Sequence, residues 1–176
     1  MRTSEELSWQ YVDDSGRLVG SPVPSTLLPS VYLHPGQLVV ATRPMQVTTI
    51  LGSCVAVCLW DASLGIGGAN HYLLPTGLKS ASSCLRYGNV AIEELLDRVA
   101  RAGAQPSRLR AKLFGGACVL DAMRNGTMHL GQRNVEIARQ TLAAAGIPVV
   151  EEDVGGSRGR KLVFQPHEGS AVVKLL

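Results

Sequence analysis

The sequence predicts an α+β fold: a layered sandwich of mostly antiparallel β-strands with two main helices packed on one face. Three observations carry this. Short β-branched and apolar runs recur from His34 onward. Two segments carry apolar residues at the spacing of an amphipathic helix. Nineteen glycines are spread along the chain, which suits turns between short elements.

The chain of 176 residues fits one domain, typically about 100–200 residues. Hydrophobic residues make up 45%, enough for a packed core and too many for wholesale disorder. Charged residues are 18%, which argues against a coiled coil. The net charge of +3 is small, and no Lys/Arg run of five or more occurs, so no nucleic-acid partner is expected.

Residues 1–33 read as an N-terminal arm, partly extended, ahead of a single domain at 34–176. The arm sets Arg2 and Arg17 against Glu5, Glu6, Asp13 and Asp14, and Pro22, Pro24 and Pro29 fall in a Ser-rich stretch. Strands are expected at Gln37–Ala41 and Met45–Ile50. Val55–Trp60 and Ile66–Leu74 flank the turn-like Asp61–Gly65 and read as a hairpin. Ala111–Phe114 runs into Gly115-Gly116. Pro148–Glu152, Lys161–Gln165 and Ala171–Leu175 follow, the last two joined through Pro166–Gly169. In Asn89–Ala102, Ile92, Leu95, Leu96 and Val99 form a helical stripe, with Asn89 the expected cap and Gly103 the stop. Asn134–Ala145 is the second helix, with Val135, Ala138 and Leu142 as its stripe and Asn134 as its cap.

The chemistry concentrates in Thr48-Thr-Ile-Leu-Gly-Ser-Cys-Val-Ala-Val-Cys-Leu-Trp-Asp61. Cys54 follows Gly52-Ser53 and precedes an apolar strand. A sharp turn there exposes a thiol while its strand stays buried, and leaves amide N–H groups to face an oxyanion. Cysteine attacks as thiolate, so a base or positive end must lie near. Cys58, Cys84 and Cys118 read as small hydrophobes, as free cysteines commonly are. His71, in Gly65-Ile-Gly-Gly-Ala-Asn-His-Tyr-Leu-Leu-Pro75, lies on the return strand of the hairpin, whose fold-back brings it near Cys54. Asn70, Thr48 and Thr49 are each able to orient its imidazole. The Gly-rich Asp153–Lys161 carries three cations but does not match the phosphate-binding P-loop, and reads as a tight loop with a basic tip.

Leu51-Gly-Ser-Cys-Val-Ala-Val-Cys-Leu-Trp-Asp61, Gly67-Gly-Ala-Asn-His-Tyr-Leu-Leu-Pro75, Lys112-Leu-Phe-Gly-Gly-Ala117 and Gly155-Gly-Ser-Arg-Gly-Arg-Lys161 together resemble the chemoreceptor glutamine deamidases, the CheD family. The likeness spans about residues 34–176 in order and spacing. It implies hydrolysis of glutamine side-chain amides to glutamate on methyl-accepting chemotaxis receptors, with release of ammonia through a cysteine thioester. Carried over by motif, the implied catalytic set is Cys54, His71 and Thr48, with no metal or other cofactor; Ser53 and Asn70 are read beside it as oxyanion or positioning residues.

The cytoplasmic domains of the receptors are the implied substrates, and a response-regulator phosphatase is a possible further partner within the family. The alternatives are receptor glutamyl methylesterase activity, which attacks the same acyl carbon, and a mainly binding role toward that phosphatase. The first residues, Met1-Arg-Thr-Ser-Glu-Glu-Leu-Ser, lack an apolar signal core, and no apolar run approaches the ~20 residues of a membrane span. A cytoplasmic protein with free thiols and no membrane insertion is therefore expected.

Overall fold

A computed structural model describes residues 28–79, 84–118 and 128–176. Its strands are β1 (Ser30–Tyr32), β2 (Gln37–Ala41), β3 (Gln46–Leu51), β4 (Val55–Asp61), β5 (Ile66–His71), β6 (Arg110–Gly115), β7 (Val149–Val154), β8 (Arg160–Gln165) and β9 (Ser170–Leu175). The helices are α1 (Gly88–Arg101) and α2 (Leu130–Ala144). One sheet runs β1-β3-β8-β9 and the other β2-β5-β4-β6-β7. The result is the expected α+β sandwich, with the helices on one face of the five-stranded sheet and the four-stranded sheet on its other face. Pairing is antiparallel except for β1 with β3 and β6 with β7, so both sheets are mixed.

The sequence of β4 explains its place. Val55-Ala-Val-Cys-Leu-Trp60 has no polar alternation because both faces are covered, and all seven residues of the strand are buried. Val55, Val57 and Leu59 pack with Ile92, Leu95 and Val99 of α1 and Val135, Ala138 and Leu142 of α2. Ala56, Cys58 and Trp60 face Val47, Leu51, Leu162 and Phe164 of the other sheet. The hairpin to β5 turns through Gly65, whose φ of 64° suits glycine. At that turn the buried carboxylate of Asp61 accepts bonds from Ser63, the Gln105 N–H and Arg108. Burial pushes its pKa up, but these bonds outweigh it and hold it at about 2.

Three sequence expectations are corrected. The folded body starts ahead of residue 34: β1 pairs with β3, and Leu33 is buried between the sheets with Val47, Leu51 and Phe164. Residues 1–27 of the expected arm lie outside the described residues. Helix α2 begins at Leu130, capped by His129, whose ring accepts from the Gln132 N–H. Asn134 is therefore one turn inside that helix and buried rather than its cap. Asn89 does not cap α1 either; its carboxamide pairs with both backbone groups of Gly77.

Helix α2 lies directly against the loop that leaves β6. A β-carbon on Gly131 would overlap the carbonyl oxygens of Gly116 and Ala117. Gly131→Ala should thus lower stability by about 1–3 kcal/mol, the usual cost of overpacking, read as a drop in the urea midpoint at unchanged slope.

Candidate functional site

Cys54 sits where β4 begins, and β5 supplies its neighbour. Val55 and Tyr72 exchange both backbone hydrogen bonds, at 3.1 and 3.0 Å. With Cys58 opposite Ala69, that register puts His71 opposite Ala56 and Cys54 opposite Leu73. Cys54, Ala56 and His71 therefore share the face that meets the four-stranded sheet. Cys54 and His71 are diagonal neighbours, a relation in which Cα atoms are about 7–8 Å apart and an imidazole can reach across.

His71 is held from the opposite sheet. Its Nδ1 lies 2.9 Å from Thr49 Oγ1, and Thr49 Oγ1 lies 2.7 Å from the Leu33 carbonyl oxygen. A hydroxyl has one proton, and Thr49 gives it to Leu33. Nδ1 must then carry the hydrogen and donate to Oγ1, which leaves the Nε2 lone pair free. Nε2 is buried and has no hydrogen-bond partner. Burial lowers the pKa of His71, the Leu33 carbonyl raises it, and the charge of His34 lowers it; the net shift is downward. A neutral imidazole with its free nitrogen at Nε2 is the form a general base needs.

The threonine against the imidazole is Thr49 and not Thr48. Strand β3 turns Val47, Thr49 and Leu51 inward, and its alternation sends Thr48 and the half-exposed Ile50 to the outer face.

The turn before β4 is fixed at three successive carbonyls. Gly52 accepts from the Ala117 N–H at 2.8 Å, Ser53 from Asn134 Nδ2 at 2.9 Å, and Cys54 from the Gly116 N–H at 2.8 Å. In a trans peptide the N–H points opposite to the C=O, so these bonds also aim the Ser53 and Cys54 N–H groups. Cys54 is half-buried. Burial raises its thiol pKa, partly offset by its own backbone N–H. Burial therefore opposes ionisation of the thiol, whereas the sequence reading asked for a base or positive end that would favour it.

Asn70 is buried but takes no place beside Cys54. It neighbours His71 on β5 and so lies opposite Val57, where its Oδ1 accepts from the Val57 N–H at 3.0 Å and replaces a backbone rung of the ladder. Cys58 is fully buried and its thiol pKa is pushed far up by burial. Arg160, read as part of a basic tip, turns inward: its guanidinium donates to the Asp153 carboxylate at 2.7 Å and to the carbonyls of Asp153 and Gly155. Among the described residues, no group of three or more His, Cys, Asp or Glu could hold a metal ion.

The sequence reading missed Leu33, and it gave Asn134 only as a cap. The alternation Val47-x-Thr49-x-Leu51 is a signal that could have chosen the threonine, but Ile50 on the other face blurs it. Leu33 offers no such signal, because it acts through its carbonyl.

Comparison with known proteins gives one family. Residues 73–175 match the family described as CheD, CheD chemotactic sensory transduction. A probable chemoreceptor glutamine deamidase CheD 1 of Anaeromyxobacter dehalogenans is 50% identical over 83% of this chain and 84% of its own. A probable chemoreceptor glutamine deamidase CheD 2 of Geobacter sulfurreducens is 44% identical over 85% of this chain and 91% of its own. One of Sulfurimonas denitrificans is 41% identical over 81% and 92%. Among solved structures, the Bacillus licheniformis hypothetical protein YfiH overlaps 68% of this chain and 51% of its own, with a TM-score of 0.46 and 19% identity.

The lowered pKa of His71 has a thermodynamic sign. Below its ordinary value of 6.5, the unfolded chain binds a proton that the folded one refuses. Stability contributed by the neutral ring is full above pH 6.5 and is lost as pH falls from there through the lower folded value. Urea titrations should show wild type losing stability across that window more steeply than His71→Gln; parallel curves would contradict it.

Proposed function

The chain belongs to the CheD family and is a chemoreceptor glutamine deamidase; we propose that it acts through Cys54 as nucleophile and His71 as general base, with Thr49 holding His71. The observation that carries this reading is the buried, partnerless Nε2 of His71, freed by the Leu33–Thr49 hydrogen-bond chain on the face it shares with Cys54.

Nε2 takes the Cys54 proton as Sγ attacks the glutamine carboxamide carbon. The carbonyl π electrons move to oxygen, and the Ser53 and Cys54 N–H groups are the donors for that oxyanion; one such donor can contribute about 10²–10³ in rate. The tetrahedral adduct then expels nitrogen, which takes the Nε2 proton and leaves as ammonia. Water, deprotonated by the same Nε2, attacks the thioester and returns the proton to sulfur, giving glutamate. Burial opposes charge on both groups, which favours moving the proton as the bond to carbon forms. Thr49 keeps the tautomer in place through the cycle and stabilises the imidazolium by accepting from Nδ1.

Chemoreceptors are the substrates. That their cytoplasmic domains are modified, within the cytoplasm, is part of the same proposal, as is a response-regulator phosphatase as a second partner. Both follow from the family likeness. Among the described residues, no helix is long and apolar enough to cross a membrane.

Incubation with purified receptor cytoplasmic fragments, then peptide mapping by mass, tests the reaction. Cys54→Ala should reduce conversion of glutamine to glutamate to background while staying folded. Thr49→Val should lower kcat by about 10–100-fold, at or below the low end of the roughly 10²–10⁴-fold that a general base itself contributes, and Thr48→Val should leave it within about twofold. Loss of a methylene instead of the amide-to-acid change would mark an esterase, and a Cys54→Ala enzyme with wild-type turnover would remove the nucleophile assignment.

A further inference from the structure

Asn134 is fully buried on α2, outside the Cys–His–Thr set, and its hydrogen bonds are unlike those of a packing residue. Its Nδ2 donates to two carbonyls at once, Ser53 and Leu73, each at 2.9 Å. Ser53 immediately precedes Cys54. Leu73 is the residue opposite Cys54 in the β4–β5 register. The Tyr72 hydroxyl, from between His71 and Leu73, donates to the backbone carbonyl of Asn134 at 2.6 Å.

Few bonds run directly between the two strands at this end of the hairpin. Beyond the Val55–Tyr72 pair the next backbone rung is absent: the Leu74 N–H bonds the Arg86 carbonyl at 3.0 Å, and the Ser53 carbonyl that would face it accepts from Asn134 instead. On the inner side of that pair, the rung at Val57 is made by the Asn70 side chain instead of its backbone. One ordinary rung therefore stands between two made by side chains. The spacing of β4 and β5 at Cys54 sets the reach from Sγ to the imidazole.

We infer that Asn134 is a positioning residue for the deamidation: its carboxamide ties the turn before Cys54 to the strand after His71 and so fixes the distance between thiol and base. The inference rests on the Cys54–His71 reading. Asparagine suits the task because its NH₂ carries two hydrogens at a fixed angle, one for each carbonyl, and α2 is a rigid mount. A misplacement of about 1 Å at reacting atoms can cost about 10²-fold in rate. A group that acts on geometry at the reacting atoms changes kcat and leaves KM alone.

The test compares wild type, Asn134→Ala, His71→Ala, Asn134→Ala/His71→Ala and Cys54→Ala on receptor fragments. Alkylation of Cys54 by iodoacetamide across pH is the second readout. Asn134→Ala should lower kcat by about 10–100-fold with KM within about twofold. It should also uncouple thiol from base: His71→Ala should slow alkylation at neutral pH in an otherwise wild-type chain and have no further effect in the Asn134→Ala background.

A residue serving stability alone would lower the melting temperature and leave turnover per folded molecule and the alkylation profile unchanged; that result overturns the inference. If Asn134→Ala does not fold, Asn134→Leu, close in volume but without donors, is assayed at reduced temperature, where wild-type kcat is equally decisive against it. An active Cys54→Ala enzyme sinks the underlying mechanism, whereas an inactive one beside a normal Asn134 variant sinks only the inference.

Discussion

A two-link hydrogen-bond chain, from the His71 imidazole through the Thr49 hydroxyl to the Leu33 carbonyl, is the interaction on which the remainder depends. It crosses between sheets, so the site exists only while both are stacked. Its force is in proton counting more than in energy, since one such bond contributes about 0.5–1.5 kcal/mol net. Thr49 has one hydrogen and Leu33 can only accept. The imidazole is thereby committed to a single tautomer before any substrate arrives.

The layering serves this arrangement. Strand β4 is covered on both sides, so its thiols are sealed off except where the strand begins. Cys54 and Cys58 lie on the same face four residues apart, yet the second is fully buried and the first half-buried. Glycine at 116 and 131 lets the β6 exit loop and α2 approach until backbone nearly meets backbone, and this proximity brings Asn134 within reach of the turn. Packing thus leaves the end of this strand as the place where one of its thiols reaches the surface, beside an imidazole whose burial, like that of the thiol, opposes charge.

Much of the fold was legible because its signals are local. The hairpin at Asp61–Gly65, the stripes of both helices and the continuous apolar run of β4 each follow from periodicity and turn chemistry, and they suffice to bring Cys54 and His71 together. The errors share one cause. Thr48 and Thr49 are adjacent in a strand whose two faces both carry an apolar residue, so only the packed sheet decides which threonine points inward. Asn134 looks like a helix cap in sequence; its true partners are 81 and 61 residues away. Leu33 contributes a main-chain oxygen, which no side-chain pattern encodes. Asn70 was legible as a polar residue beside His71, but its insertion between strands was not.

The oxygen of Leu33 has a consequence for how the enzyme can be shortened. A protein trimmed to begin at His34 would retain every side chain proposed above to act on the substrate. It would nevertheless release the threonine hydroxyl to turn and donate its proton to the ring, inverting the imidazole and masking its basic edge. Completeness of the proposed catalytic side chains is therefore not completeness of the proposed site, which also draws on the main-chain oxygen of a leucine.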